Sequence, residues 1–171
     1  MFFYIFIIFA VIFLLFLLSM VWPPDSPWAP WWRTSKTTAK AMCSLAGVKK
    51  GDLVYDLGSG EGTALFVASK EFGAKGFGIE IDPLRYLYSK LLLRINGLSP
   101  RVRIKRGNLF DEDFSKADVI FVYLVPKTLD KLLPKFKKEL RKGVRVISYR
   151  YEMKLPLKEY DKKNQLRLYT I

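Results

Sequence analysis

The chain reads as an α/β protein: a doubly wound, mostly parallel sheet closed by a C-terminal antiparallel hairpin and preceded by one transmembrane helix. Three observations predict this. Residues 1–22 carry no charged side chain. Beyond residue 34, strand-like apolar runs alternate with helical ones, the pattern of a sheet covered on both faces. Four of those strand-like runs end on a glycine-rich or polar feature, which is where ligands sit in open sheets of this class.

The first segment, MFFYIFIIFAVIFLLFLLSMVW, would span about 33 Å as a helix at ~1.5 Å per residue. A bilayer core is roughly 30 Å thick. A cleavable signal peptide wants a basic start, a shorter apolar run and a small-x-small cleavage site. Here the run is long, the terminal amine is the only positive group ahead of it, and Pro23-Pro24 follows. Residues 1–22 are therefore read as a retained single-pass anchor. Arg33, Lys36, Lys40, Lys49 and Lys50 follow the span against Asp25 alone, placing the domain on the cytoplasmic side. Residues 23–33 form a Pro/Trp-rich juxtamembrane linker, and 34–171 form the soluble domain. Trp22, Trp28, Trp31 and Trp32 suit an interfacial aromatic belt on a stiff linker. The alternative is that Trp31 or Trp32 folds over a ligand on the domain.

A net charge of +13 implies an acidic partner. The basic residues are spread along the chain, with no Lys/Arg run interleaved with aromatics. That favours an anionic membrane surface over nucleic acid. One cysteine, Cys43, and no histidine exclude a disulfide framework, a cysteine zinc cluster, a Ser-His-Asp triad and histidine-ligated metals. Cys43 reads as a small buried helix residue. Asp111-Glu112-Asp113 reads as a solvated loop with a capping acid, and no metal is expected. The chemistry must then run on a cofactor, on carboxylates or on tyrosine.

Thr34 or Ser35 caps a first helix reaching about Val48, with Met42, Leu45 and Ala46 on its apolar side. Leu53 to Leu57 is a buried strand running into Gly58-Ser59-Gly60-Glu61-Gly62. A helix from Thr63 to Phe72 follows, then a strand from Gly76 to Ile81. Pro83 opens a helix to Ile95, closed by Asn96-Gly97. Val102 to Arg106 alternates apolar and basic residues, as at a sheet edge. Ala117 to Leu124 is continuously apolar after Asp118, suiting a central parallel strand. Pro126 to Arg141 is helical, with Leu129, Leu132, Leu133, Phe136 and Leu140 on one face. Pro134 predicts a kink or split there. Val144 to Tyr149 is a fifth strand, and the tail folds as a hairpin around Asp161 to Asn164.

The glycine loop is the strongest functional signal. Alternating glycines let the backbone turn tightly and approach a ligand with no Cβ in the way. Glu80 ends the next strand, where a carboxylate accepts hydrogen bonds from a ribose diol. Strand, loop, helix and terminal acid together predict a nucleoside-containing cofactor. The nicotinamide pattern G-x-G-x-x-G/A fails, because Thr63 stands at its sixth place counted from Gly58.

Asp56-Leu-Gly-Ser-Gly-Glu-Gly62 instead resembles motif I of class I S-adenosylmethionine-dependent methyltransferases, whose sheet is Rossmann-like. The resemblance implies that Asp56, Gly58, Ser59, Gly60 and Gly62 surround the methionine end of S-adenosylmethionine. It implies that Glu80, with Ile81, grips the ribose and that Asn108-Leu109 lies beside the adenine. Tyr123-Leu-Val-Pro126 stands where motif IV faces the methyl group. With Gly143-Val-Arg-Val-Ile-Ser148 and Pro30-Trp-Trp-Arg-Thr34, the set is similar to membrane-anchored lysine methyltransferases. Those act on the adenine nucleotide translocase and the ATP synthase c-subunit, and they have prokaryotic relatives.

That resemblance implies protein-lysine methylation of a membrane protein. Motif IV lacks the Asn/Asp-Pro-Pro-Tyr/Phe tetrad of enzymes that methylate planar amino groups, and an amine nucleophile suits what replaces it. Water can take the amine's proton, so positioning and desolvation do the catalysis. Tyr123 is the candidate catalytic residue, its ring facing the sulfonium charge. Two alternatives stay open. One is methylation of a small molecule, lipid headgroup or RNA by the same fold. The other is a non-catalytic, membrane-anchored nucleotide-binding module.

Overall fold

The computed structural model describes residues 2–21 and 32–171, with the side chains of 18–21 left out. The linker expectations for Trp22, Trp28, Trp31 and the linker prolines lie outside the described residues. Helix α1, Phe2–Val21, is apolar all round and has no charged residue in its first or last turn. Its side chains are described as far as Leu17, about 24 Å of helix at ~1.5 Å per residue. Among the described residues no helix is long and apolar enough to cross a membrane.

Seven strands form one sheet in the order β3-β2-β1-β4-β5-β7-β6. These are β1 Leu53–Leu57, β2 Lys75–Glu80, β3 Val102–Arg106, β4 Val119–Val122, β5 Arg145–Tyr149, β6 Leu157–Asp161 and β7 Leu166–Thr170. The first five pair in parallel, and β7 runs antiparallel to both β5 and β6. The predicted doubly wound sheet and closing hairpin are therefore present. Alternate residues of each central strand serve opposite faces. Val54, Val119 and Phe121 pack under helices α2 (Lys36–Leu45), α3 (Thr63–Phe72) and α4 (Pro83–Ile95). Tyr55, Leu57, Ile120 and Val122 pack with Phe114 against Leu129, Leu132 and Phe136 of α5 (Pro126–Glu139).

The helix ends follow from local chemistry. Ser35 Oγ accepts from the Thr38 N–H at 3.0 Å, and the Asp82 carboxylate accepts from the Arg85 N–H at 2.8 Å, with Pro83 in the first turn. Helix α2 stops at Leu45 rather than near Val48. Gly47 takes φ +59°, its N–H donates to the Ser44 carbonyl, and the Val48 N–H donates to that of Cys43. That pair of bonds terminates a helix. Arg145 then caps the end, donating to the Ala46 and Gly47 carbonyls at 2.8 and 2.7 Å and pairing with Asp52 at 2.7 Å.

Three further elements differ from the sequence expectation. The β2 ladder ends at the Glu80↔Arg106 pair, so Ile81 lies past the strand. Strand β4 is shorter than Ala117–Leu124, because Ala117 closes a turn onto the Phe114 carbonyl and Tyr123 lies beyond the β1 and β5 ladders. Helix α5 is not split at Pro134 and runs through it to Glu139. The lost N–H bond lies one turn after Asp130, whose exposed side chain pairs with Lys154 at 3.0 Å.

Gly78 in β2 lies directly beneath the glycine loop. A Cβ there would stand 2.7 Å from Ser59 Oγ and 2.9 Å from Leu65 Cδ1. Gly78→Ala is therefore expected to destabilise the domain by about 1–3 kcal/mol through overpacking. Gly107→Ala adds a methyl with nothing nearer than 3.5 Å and should shift the midpoint little. Thermal denaturation of the two variants side by side checks the contrast.

Candidate active site

A cleft open to solvent lies over the C-terminal ends of β1, β2 and β4. Asp56, Gly58, Ser59, Gly60, Glu80, Ile81, Asn108, Leu109 and Tyr123 all line it. Gly62 does not. A Cβ on Gly62 would meet the Phe66 ring at 2.9 Å and Ile104 Cδ1 at 3.0 Å, and with φ +82° it serves as N-cap of α3. Its role is to turn the chain into the helix rather than to contact a ligand.

The loop is folded back onto β2. The Gly58 and Ser59 N–H groups both donate to the Ile79 carbonyl at 2.9 Å, and the Gly62 N–H donates to the Ser59 carbonyl at 2.8 Å. Gly58 and Gly60 take φ +80° and +53°, a region costly for residues with a Cβ. The Glu80 carboxylate ties this arrangement together. One oxygen accepts from the Gly60 N–H at 2.6 Å and the other from the Asp82 N–H at 2.9 Å. Burial raises the Glu80 carboxyl above its ordinary range, against the lowering effect of those two amides and of Arg85. Asp56, near the end of β1, is buried as well. Its carboxyl is pushed up to about 7, chiefly by desolvation and secondly by the Glu80 charge.

These donors and acceptors test what the cleft suits. Two buried carboxylates beside a glycine loop disfavour a pyrophosphate, which would add like charge in a dry setting. They favour a ligand offering hydroxyls and positive charge, which is what the ribose, ammonium and sulfonium of S-adenosylmethionine present. Ser59 Oγ is buried against Gly78 with no hydrogen-bond partner among the described residues. Across from the acids, the Asn108 side chain accepts from the Phe110 N–H at 3.1 Å. That bond caps a short 3₁₀ turn, Leu109–Asp111, and sets Leu109 and Phe110 along the wall.

The N-terminal segment forms another wall. Trp32, Arg33 and Thr34 line the cleft, and Arg33 pairs with Glu61 of the glycine loop at 2.7 Å. Beyond the end of β4, the Tyr123 ring lies 4.4 Å from that of Tyr149 and 6.5 Å from that of Tyr151. Burial raises the Tyr123 hydroxyl's pKa, opposed by the nearby Arg150 charge. The aromatic partners at the end of β5 were missed from sequence, although Tyr149-Arg150-Tyr151 is itself a signal. The register pairs Val122 with Ser148, so the next residues, Tyr123 and Tyr149, come out side by side.

The other features stay structural. Asp113 accepts from Ser115 at 2.8 Å, Glu112 pairs with Lys105, and Cys43 is fully buried with its thiol pushed up to about 12 by desolvation. Among the described residues no group of three potential ligands could hold a metal ion.

Fold and cleft define an S-adenosylmethionine-dependent methyltransferase, and known proteins agree. The chain belongs to the ANTKMT methyltransferase domain family, which matches it over residues 56–157. It is 35% identical over 122 residues to a protein-lysine N-methyltransferase of Saccharolobus islandicus, covering 71% of this chain and 76% of that protein. It is 29% identical to the ATP synthase C-subunit lysine N-methyltransferase of Xenopus laevis, covering 68% of this chain and 49% of that one. Among solved structures, it resembles an RNA methyltransferase from Salinibacter ruber in complex with S-adenosyl-L-homocysteine. That match has a TM-score of 0.79 and 33% identity, covering 82% of this chain and 94% of the other.

Two measurements follow from the acids. Glu80→Ala removes two bonds between a carboxylate and backbone amides, each worth about 1.5–3 kcal/mol, and frees the glycine loop. Calorimetric titration with S-adenosylmethionine should show affinity falling at least roughly tenfold, with NAD binding neither form. Asp56 is the more pH-sensitive of the two acids. Its folded pKa of about 7 lies above the ordinary 3.8, so folding takes up a proton between those values. Stability of the ligand-free protein should fall as pH rises through that window, then level off. Asp56→Asn should flatten the dependence, and a slope that persists in thermal melts of the variant would assign it to another group.

Proposed function

We propose that this methyltransferase acts on the ε-amine of a lysine side chain in a membrane protein, tethered by residues 1–22 with its domain on the cytoplasmic side. The observation that carries the reading is what lines the cleft. Buried carboxylates and the glycine loop share it with the rings of Trp32 and Tyr123, with neither a histidine nor an amide-binding tetrad in the chain. In this reading Glu80 would hold the ribose hydroxyls, Asp56 and the loop the methionine end, and Asn108 with Leu109 the adenine. When bound, S-adenosylmethionine supplies a sulfonium methyl: the amine lone pair forms a C–N bond as the C–S bond breaks, and the proton leaves to water. The chain's own contribution is to exclude water, align the amine and face it with the ring of Tyr123. The lysine assignments of the relatives support this choice of nucleophile.

The tether is supported by three features. Helix α1 is apolar all round, the net charge is +13, and helix α4 leaves Leu87, Leu91 and Ile95 exposed on one stripe beside Lys90 and Arg94. Such a stripe suits an anionic lipid surface.

The test is methyl transfer from labelled S-adenosylmethionine into membrane fractions, with the labelled product hydrolysed to amino acids. Label is expected in methylated lysine. Removing residues 1–22 should lower the rate on membrane substrate by roughly tenfold or more, since tethering raises effective concentration, while a short lysine peptide is still methylated. Equal rates on membranes would sink the tether. Label recovered in RNA or lipid would overturn the lysine assignment.

A further inference from the structure

The rings beside the cleft surround a charge that the chain itself supplies. Arg150 places its guanidinium 5.7 Å from the centroid of Trp32, 5.7 Å from that of Tyr123 and 5.4 Å from that of Tyr149. All three lie within the range in which an aromatic face attracts a cation. Two of these rings, Trp32 and Tyr123, also line the cleft. The cation therefore sits beside the cleft, against two rings that line it.

Its backbone is unusual too. The Tyr151 N–H donates to the Tyr149 carbonyl at 2.9 Å, closing a three-residue turn with Arg150 at its centre and φ +67°. This is a strained turn for a residue with a Cβ. It is held from outside. The Arg150 N–H donates to the Gln165 carbonyl at 2.8 Å, and Arg167 donates to the Arg150 carbonyl at 2.8 Å. The Ser148 hydroxyl donates to the Tyr151 carbonyl, fixing the following residue as well. The turn is thus rigid, while the Arg150 side chain is exposed to solvent and can leave the rings without unfolding anything.

We propose that Trp32, Tyr123 and Tyr149 form an aromatic cage for the alkylammonium group of the substrate side chain, and that Arg150 is a built-in occupant which this group displaces. The inference rests on the lysine reading above and extends it to a defined subsite. A cage of ring faces attracts a cation without requiring N–H donors, with the Tyr149 hydroxyl, which accepts from Arg150, at its edge. It therefore receives an ammonium group at any degree of methylation and favours the methylated, more weakly hydrated forms. Partly methylated products would be retained for a further round. While Arg150 fills the cage, only the fraction of molecules with the arginine swung out can bind, which lowers apparent affinity by that fraction.

The test uses the full chain in detergent with S-adenosyl-L-homocysteine present. The probe is tetramethylammonium chloride, with sodium chloride at equal ionic strength as control. Labelled tyrosine rings report binding by chemical shift, and calorimetry with S-adenosyl-L-homocysteine verifies that each variant is folded. Arg150→Gly suits the positive φ, and Arg150→Gln keeps the length without the charge. Both should bind tetramethylammonium roughly tenfold more tightly than the wild type. In the Arg150→Gly background, Tyr149→Leu should abolish the gain and Tyr149→Phe should preserve it. A trimethyllysine peptide should compete with the probe. The proposal is overturned if neither Arg150 variant gains affinity, or if Tyr149→Phe loses as much as Tyr149→Leu. A probe that behaves as expected but is not displaced by the lysine peptide keeps the cage and removes the lysine reading. A wild type that methylates lysine peptide with no Arg150 effect on the probe keeps the reading and removes the cage.

Discussion

Two carboxylates, Asp56 and Glu80, are buried at the ends of adjacent parallel strands, and the shape of the site follows from making that tolerable. An uncompensated buried charge is costly. Glu80 is compensated by two backbone N–H groups, those of Gly60 and Asp82. The first can reach it only if the loop after β1 doubles back over β2, which forces positive φ at Gly58, Gly60 and Gly62. It also presses Ser59 onto Gly78, where a side chain could not fit. The second N–H comes from the residue that caps α4. Loop, underlying strand and the start of the next helix are thus organised around one carboxylate. Among the described residues no hydrogen bond of this kind reaches Asp56, and burial pushes its carboxyl up to about 7. A ligand that brings positive charge beside Asp56 supplies what the fold leaves out.

This explains which parts were legible in the sequence. The strands and helices that bury a face announce themselves by periodicity, and residues 53–57, 63–72, 83–95 and 102–106 begin and end where expected. The cap at Ser35 and the start of α4 at Pro83 were readable because local chemistry fixes them. Glu80 and the glycines were readable because their spacing is set by the strand-loop-helix unit alone. The features that misled depend on partners distant in the chain. The end of β4 is decided by where the β1 and β5 ladders stop, and nothing in Ala117–Leu124 encodes that. Gly62 belongs to the loop by sequence, but its α-carbon faces Phe66 and Ile104 rather than the cleft. Pro134 breaks a helical pattern by propensity, yet Leu132 and Phe136 bury the faces on either side of it and carry the helix through.

The aromatic part of the cleft is the clearest case of non-local assembly. Tyr123 was visible as a strand-end residue, but a lone tyrosine there carries little chemical meaning. Meaning comes from the parallel pairing of β4 with β5, which sets Tyr149 beside it. It comes also from the antiparallel return of β7, which holds the Arg150 turn through Gln165 and Arg167. The C-terminal hairpin therefore does more than close the sheet edge. Without β7 the turn at Arg150 would lose the hydrogen bonds that keep it strained.

The remaining wall is of a different physical kind. Trp32 and Arg33 reach the body of the site through a cation–π contact to Arg150 and an ion pair to Glu61. Both are made by exposed side chains: Trp32 is 55% exposed and the Arg33 side chain 66%. Contacts of that sort contribute about 0–1 kcal/mol each. That is little against roughly 1–2 kcal/mol of backbone entropy for every residue they order. The floor of the cleft, by contrast, is set by buried amides and packed strands. The floor is built before any ligand arrives, whereas the N-terminal wall is stabilised only weakly by the protein alone. A ligand that lies against Trp32 and Thr34, which line the cleft, would add contact area to this segment.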